Sequence, residues 1–199
     1  DAAWGGPTRL SGKYDHLLDG IEQSVSVTID GHKQFYMPMS CGMVYFKDPT
    51  SLDVIAYHAN YVNRMGSVDL GIKSLSGSRE ANSLILDCAL KIMGANGYAL
   101  LIDHGIETAR AFAEEIRNRK NFQLVTDPVL NILTYRYCPV HIQQELNHAG
   151  DDEKKRIDIV VLRTVLMNPM TDIGILREIL DEQEQIVTDH LLDQVAGAL

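Results

Sequence analysis

The stretch Ser26-Val27-Thr28-Ile29-Asp30-Gly31-His32-Lys33 decides how this chain is read. Val25, Val27 and Ile29 alternate with Ser24, Ser26, Thr28 and Asp30. That is the period of a strand with one apolar face, and Gly31-His32-Lys33 ends it. After a turn region at Met37-Pro38-Met39-Ser40, the run Gly42 to Phe46 is again strand-like and stops at the turn signal Asp48-Pro49. Two strands therefore bracket a His-Lys pair. Upstream lies Asp1-Ala2-Ala3-Trp4-Gly5-Gly6, small residues behind a carboxylate.

Downstream, the pattern from Leu52 to Asn63 is weak, and Arg64 to Gly77, with three glycines and several serines, has the composition of a mobile loop. Ala81, Leu84, Ile85, Cys88, Ala89 and Ile92 recur at the spacing of a helix with one buried face, which Gly94 and Gly97 should end. A second helix is expected from about Tyr98 to Lys120, with Leu101, Ile102, Ala109, Phe112, Ala113 and Ile116 inward. Phe122–Val125, Asn131–Tyr137 and Ile159–Met167 read as strands, and Thr171 to about Val195 as a helix opening on Thr171-Asp172. The architecture is α/β in front and α+β behind. We divide it into a large-domain part at 1–98, with a loop at about 50–77, and a small domain at 99–199. The charged run Asp151 to Asp158 passes straight into Ile159-Val160-Val161-Leu162 with no turn residue, so a segment is expected to be missing near 158–159.

Composition narrows the function. In 199 residues, 45% hydrophobic content suffices for a sizeable core, and a formal net charge of −9 argues against nucleic acid or an anionic membrane surface as partner. Cys41, Cys88 and Cys138 lack CxxC or Cys/His spacing. This disfavours a disulfide framework and a metal site and suits the reducing cytoplasm. No apolar run approaches 18 residues, and the opening DAAWGG has neither a basic leader nor an initiator Met, so the chain reads as soluble and as part of a longer protein.

The Asp1 and Lys33 segments together suit one chemistry. A pyridoxal phosphate site needs an amine to hold the aldehyde as a Schiff base and a carboxylate to keep the ring nitrogen protonated. Lys33 and Asp1 can fill these roles. Ala3, two positions on, would share a strand face with Asp1 and let a flat ring pack there, and His32 can donate to a phosphate. Arg163 stands among Val160, Val161, Leu162, Val165 and Leu166, where a charge is costly unless it meets an anion. Met37, Met39, Met43 and Cys41 read as core filling, His58, His104, His141 and His148 show no ligand spacing, and Asp181–Glu184 reads as a solvated helix side.

DAAWGG, SVTIDGHKQ followed by MPMSCGMV, GSR at Gly77 to Arg79, and VLRTVLMNP at Val161 to Pro169 resemble the group II pyridoxal-phosphate-dependent amino acid decarboxylases. The resemblance implies the C-terminal part of a fold-type I, aspartate aminotransferase-like enzyme. It implies a homodimer with shared active sites and α-decarboxylation of an acidic L-amino acid, aspartate to β-alanine or alternatively glutamate to γ-aminobutyrate. By the same resemblance Lys33 binds the cofactor and Asp1 meets the pyridinium. Tyr61 protonates the substrate α-carbon, with Tyr57 as its rival. Arg163 holds the α-carboxylate, Gly77-Ser78 serve the phosphate of the neighbouring subunit, and Arg79 pairs with an acidic group. A lyase or aminotransferase on the same fold would keep Lys33 and Asp1 without the tyrosine, and a cofactor-free scaffold is the nonenzymatic alternative.

Overall fold

The computed structural model describes residues 1–199 except Asn60, Met65, Asp69, Ser76, Arg79, His141, 144–158 and 197–199. The chain forms two compact units, Asp1–Ile102 and Asp103–Leu199. In the first unit β1 (Ser26–Asp30) and β2 (Gly42–Phe46) pair antiparallel, from Ser26 opposite Phe46 to Asp30 opposite Gly42. These are the two strands that the alternation predicts. The opposite edge of β1 is taken by the start of the chain. Ala2 N–H donates to the Thr28 carbonyl at 3.0 Å and Asp30 N–H to the Ala3 carbonyl at 3.1 Å. Ile29 lies against Gly6 of a short 3-10 helix, Gly6–Leu10. Because side chains alternate along a strand, Thr28 and Asp30 stand on the other face.

The first helix, α1 (Asn82–Asn118), is broken at Gly94, whose φ of 62° and ψ of 175° lie outside the helical region. A residue with a side chain adopts that backbone only with strain, so the break falls where the glycine allows it. The sequence places its helix end there. Ahead of the break Leu84, Ile85, Cys88 and Ile92 are exposed in this chain, Ile92 by 82%, and only Leu86 is buried. By length and composition α1 is also apolar enough to cross a membrane, against the sequence reading. From Tyr98 onward, however, its apolar residues Tyr98, Ile102, Ile106, Ala109 and Phe112 are buried in protein. Met39 is exposed rather than core, while Cys41 is buried as expected.

In the second unit Ala109, Phe112, Ala113 and Ile116 of α1 form one core with Phe122, Leu133, Tyr135, Leu166, Leu176 and Leu180. They pack on an antiparallel sheet in the order β3 (Phe122–Thr126), β4 (Ile132–Tyr137), β5 (Leu162–Val165), with α2 (Ile173–Ala196) supplying the two final leucines. The strand predicted at 159–167 is shorter than expected, and Ile159 and Val160 are exposed. Asp172 Oδ1 accepts the Ile175 N–H at 3.0 Å, an N-cap that starts α2 just after Thr171-Asp172.

The stretch Asp181–Glu184 is not merely solvated. Arg119 donates to Asp181 at 2.6 Å and to Glu115 at 3.3 Å, lies 3.7 Å from Glu184, and Arg177 donates to Glu115 at 2.9 Å. The hydrogen bond from Arg177 holds the Glu115 carboxyl below its ordinary range, against a burial that would raise it, and Arg119 adds to the lowering. A carboxyl depressed in the folded state adds stability above its unfolded value, and that stability is lost as pH falls through the lower, folded value. Glu115→Gln should therefore cost about 1 kcal/mol near neutral pH. The difference from the unsubstituted protein should shrink below about pH 4.3, the ordinary glutamate value. Thermal unfolding of both proteins across that range checks this.

Candidate functional site

Lys33 follows β1 in a turn fixed by the backbone. Gly31 and His32 N–H both donate to the Cys41 carbonyl, at 2.7 and 3.3 Å, Tyr36 N–H donates to the Lys33 carbonyl at 2.8 Å, and Met37 N–H to the Gly31 carbonyl at 3.0 Å. Gly31 is required by close approach, since a Cβ there would lie 2.5 Å from Cys41 Sγ. The His32 ring is seated on the same cysteine backbone. Its Nδ1 lies 2.9 Å from the Cys41 carbonyl oxygen and 3.2 Å from the Cys41 nitrogen. A proton on Nδ1 donates to the carbonyl, and a bare Nδ1 accepts the N–H, so either tautomer is held.

The Lys33 ammonium lies 2.7 Å from Asp30 Oδ2, and His32 Nε2 lies 3.7 Å from the same oxygen. Below the turn, Tyr98 Oη donates to the Phe35 carbonyl at 3.2 Å, and the two rings meet edge to face at 5.2 Å. Burial raises the Tyr98 phenol above its ordinary value, so it remains a donor at neutral pH. Asp30 and Tyr98 escape the sequence reading. Asp30 carried a signal, the spacing Asp-x-x-Lys that closes one turn, whereas nothing in the sequence distinguishes Tyr98 from other apolar helix positions.

Asp1 sits on the other edge of β1. Its Oδ1 accepts the Ala3 N–H at 2.8 Å and, in a long bond of 3.4 Å, the Thr28 hydroxyl, while Oδ2 takes neither bond. The first contact is an Asx turn, so Asp1–Ala3 is not a regular strand. Ala3 is half-buried, between the buried Ala2 and the turn it opens into Trp4-Gly5. Asp1 and Lys33 nevertheless meet the same face of β1, one through Thr28 and the other through Asp30. These anchors are two residues apart, about 7 Å along a strand. The two side chains thus share one strand face, each held through a different residue of it. Thr28 itself is exposed, leaving the face open to a ring.

The remaining candidates belong to other elements. In the loop after β2, Tyr57 N–H donates to the Ile72 carbonyl at 3.1 Å, Ala59 N–H to the Val62 carbonyl at 3.0 Å, and His58 Nδ1 lies 2.9 Å from the Asn63 carbonyl. These bonds close a small loop that carries Tyr61 between its ends, 86% exposed, with Tyr57 at its base, 64% exposed. Gly77 and Ser78 are exposed, and the expected pairing of Arg79 lies outside the described residues. Arg163 belongs to the second unit, on β5 opposite Thr134. It is exposed, as is Leu162 beside it. Among the described residues no group of His, Cys, Asp and Glu could hold a metal ion, and the three cysteines are unpaired.

Comparison with known proteins gives this geometry a family. The chain is 39% identical to the aspartate 1-decarboxylase of Aliivibrio fischeri over 238 aligned residues, covering 99% of this chain and 44% of that protein. It is 33% identical to the L-2,4-diaminobutyrate decarboxylase of Acinetobacter baumannii, over 77% of this chain and 32% of that one. The chain thus spans less than half the length of these relatives. Among solved structures, that of mouse CSAD superposes with a TM-score of 0.78 at 25% identity, over 93% of this chain and 44% of that chain. The fold is the fold-type I arrangement that the resemblance implied. Residues 1–138, which include the whole Asp1, Asp30, His32 and Lys33 constellation, match the pyridoxal-dependent decarboxylase conserved domain, and the chain belongs to that family.

Proposed function

We propose that the protein containing this chain uses pyridoxal 5'-phosphate to remove the α-carboxyl group of an acidic L-amino acid, with aspartate as substrate and β-alanine as product. One observation carries the reading: a lysine and a carboxylate anchored two residues apart on one face of β1, in a chain of the pyridoxal-dependent decarboxylase family. The likeness to an aspartate 1-decarboxylase over 99% of this chain supports aspartate. That alignment is longer than the chain, which supports a missing segment, and we retain 158–159 as its place.

When bound, the cofactor supplies an electron sink for the bond that breaks at the substrate α-carbon. The chain supplies position and protons. Lys33 offers its amine to the aldehyde carbon. Asp1, oriented by Ala3 N–H and Thr28, holds the proton at the ring nitrogen, because a carboxylate favours the charged pyridinium. Ala3 leaves room for the ring, and His32, seated on Cys41, donates toward the phosphate. The Arg163 guanidinium fork matches an α-carboxylate bidentately. We assign Tyr61 the return of a proton to the α-carbon, since it is the more exposed tyrosine of the loop. Gly77 and Ser78 serve the phosphate of the second subunit in a homodimer. Unpaired cysteines suit a cytoplasmic protein.

Carbon dioxide release from aspartate, glutamate and 2,4-diaminobutyrate, measured side by side, tests the substrate, with aspartate expected to be fastest. Preference for glutamate would replace aspartate with the runner-up, and inactivity on all three together with failure to take up the cofactor would leave a scaffold. Tyr61→Phe should slow turnover by about 10²-fold or more, the scale of a lost general acid, with cofactor uptake intact. Unchanged turnover would return Tyr61 to a structural role. Arg163→Ala should raise KM about tenfold, the loss expected when a charge-assisted bond to substrate is removed, and normal saturation would reject its role.

A further inference from the structure

We propose that Asp30 is the positioning residue for the Lys33 amine: its carboxylate holds the ammonium whenever the amine is not bound to carbon. The inference rests on the reading of Lys33 as the cofactor amine and goes beyond it, because that reading gives Asp30 no task. Asp30 is a rigid platform. It is the last residue of β1, paired with Gly42 on one side and bonded through its N–H to the Ala3 carbonyl on the other. From there its Oδ2 meets Lys33 Nζ at 2.7 Å across one turn.

The pair differs from an ordinary surface contact. Asp30 and Lys33 side chains are 24% and 33% exposed, whereas Asp87 and Lys91, also 2.7 Å apart, are 53% and 74% exposed. Less water and salt reach the first pair, so its attraction is screened less. Among the described residues, the titratable groups near Lys33 are Asp30 at contact and His32 beside the same carboxylate oxygen, with Asp1 bonded to Thr28 on the same β1 face. When Lys33 is engaged elsewhere, His32 Nε2, 3.7 Å from Oδ2, is the neighbour that remains to Asp30. One carboxylate thus contacts the ammonium with an imidazole beside it, and it keeps the free amine on the face where Asp1 awaits the ring.

The test uses the protein freed of cofactor, with trinitrobenzenesulfonate as amine reagent and peptide mass spectrometry to follow each lysine. Asp30→Asn should speed modification of Lys33 several-fold and leave Lys91 unchanged. Asp30→Glu, which keeps the charge, should restore much of the protection. Added salt should speed Lys33 modification in the unsubstituted protein but not in Asp30→Asn, a response that a purely structural role would not give. Equal Lys33 rates in the unsubstituted protein and Asp30→Asn, or no protection by glutamate, would overturn the proposal. Cofactor uptake, read separately by visible absorbance, reports on the reading of Lys33 itself, so the two can fail independently.

Discussion

Lys33→Ala is expected to leave a folded, colourless protein that neither takes up pyridoxal phosphate nor releases carbon dioxide from an amino acid. Fold should survive because the turn is held by backbone bonds that do not involve the side chain: Gly31 and His32 to Cys41, Tyr36 to the Lys33 carbonyl, and the Tyr98 hydroxyl to Phe35. What goes is the amine held on the β1 face. Losing a tethered reacting group turns an intramolecular step into a bimolecular one, so turnover should fall by about 10³-fold or more. Visible absorbance after adding pyridoxal phosphate, with dialysis to remove what is loosely held, measures the first effect, and carbon dioxide release measures the second. A yellow, active Lys33→Ala protein would mean that another amine does this work. The remaining Asp30 carboxylate has His32 nearby, so the substitution does not strand an isolated buried charge.

Much of this site is legible in the sequence. The alternation at Val25, Val27 and Ile29 and the turn residues on either side of Gly42–Phe46 fix a hairpin of known faces, and the structure has that hairpin. Legibility ends where tertiary packing chooses between equivalent patterns. The stripe of Leu84, Ile85, Cys88 and Ile92 satisfies helical periodicity, yet these residues are exposed in this chain, because periodicity shows that a face exists and not what covers it. Arg163 illustrates the same limit in a strand. A charge among valines reads as costly unless it meets an anion, and in this chain the side chain is exposed beside an exposed Leu162. The start of the chain shows a local limit: the Asp1 carboxylate takes the Ala3 N–H in an Asx turn, a bond that alternation does not reveal.

Asp30 was overlooked because an aspartate at a strand end has an ordinary explanation as a turn residue. Only the 2.7 Å contact with Lys33 separates the two readings.

Asp1→Asn should have the other large effect, and its geometry isolates charge from structure. Asn retains an Oδ1 that can accept the Ala3 N–H and the Thr28 hydroxyl, so the bonds that hold this edge of β1 persist. The change falls on the other atom, where a carboxylate oxygen becomes an NH2 that can only donate. A donor facing a protonated ring nitrogen is repelled, and a neutral ring nitrogen leaves a weaker electron sink for the bond at the α-carbon. The expectation is cofactor uptake near normal, since Lys33 is untouched, with kcat lowered by about 10² to 10³-fold, the scale of removing one preorganised electrostatic group. Thr28→Ala, which removes only the long 3.4 Å bond to Asp1, should cost far less. Steady-state kinetics with absorbance-based uptake measured on the same samples separates the two quantities. An Asp1→Asn protein turning over at the normal rate would show that the carboxylate holds up the β1 edge and nothing more. The pairing of Asp1 with Lys33 across one ring would then have to be abandoned, even with the family assignment intact.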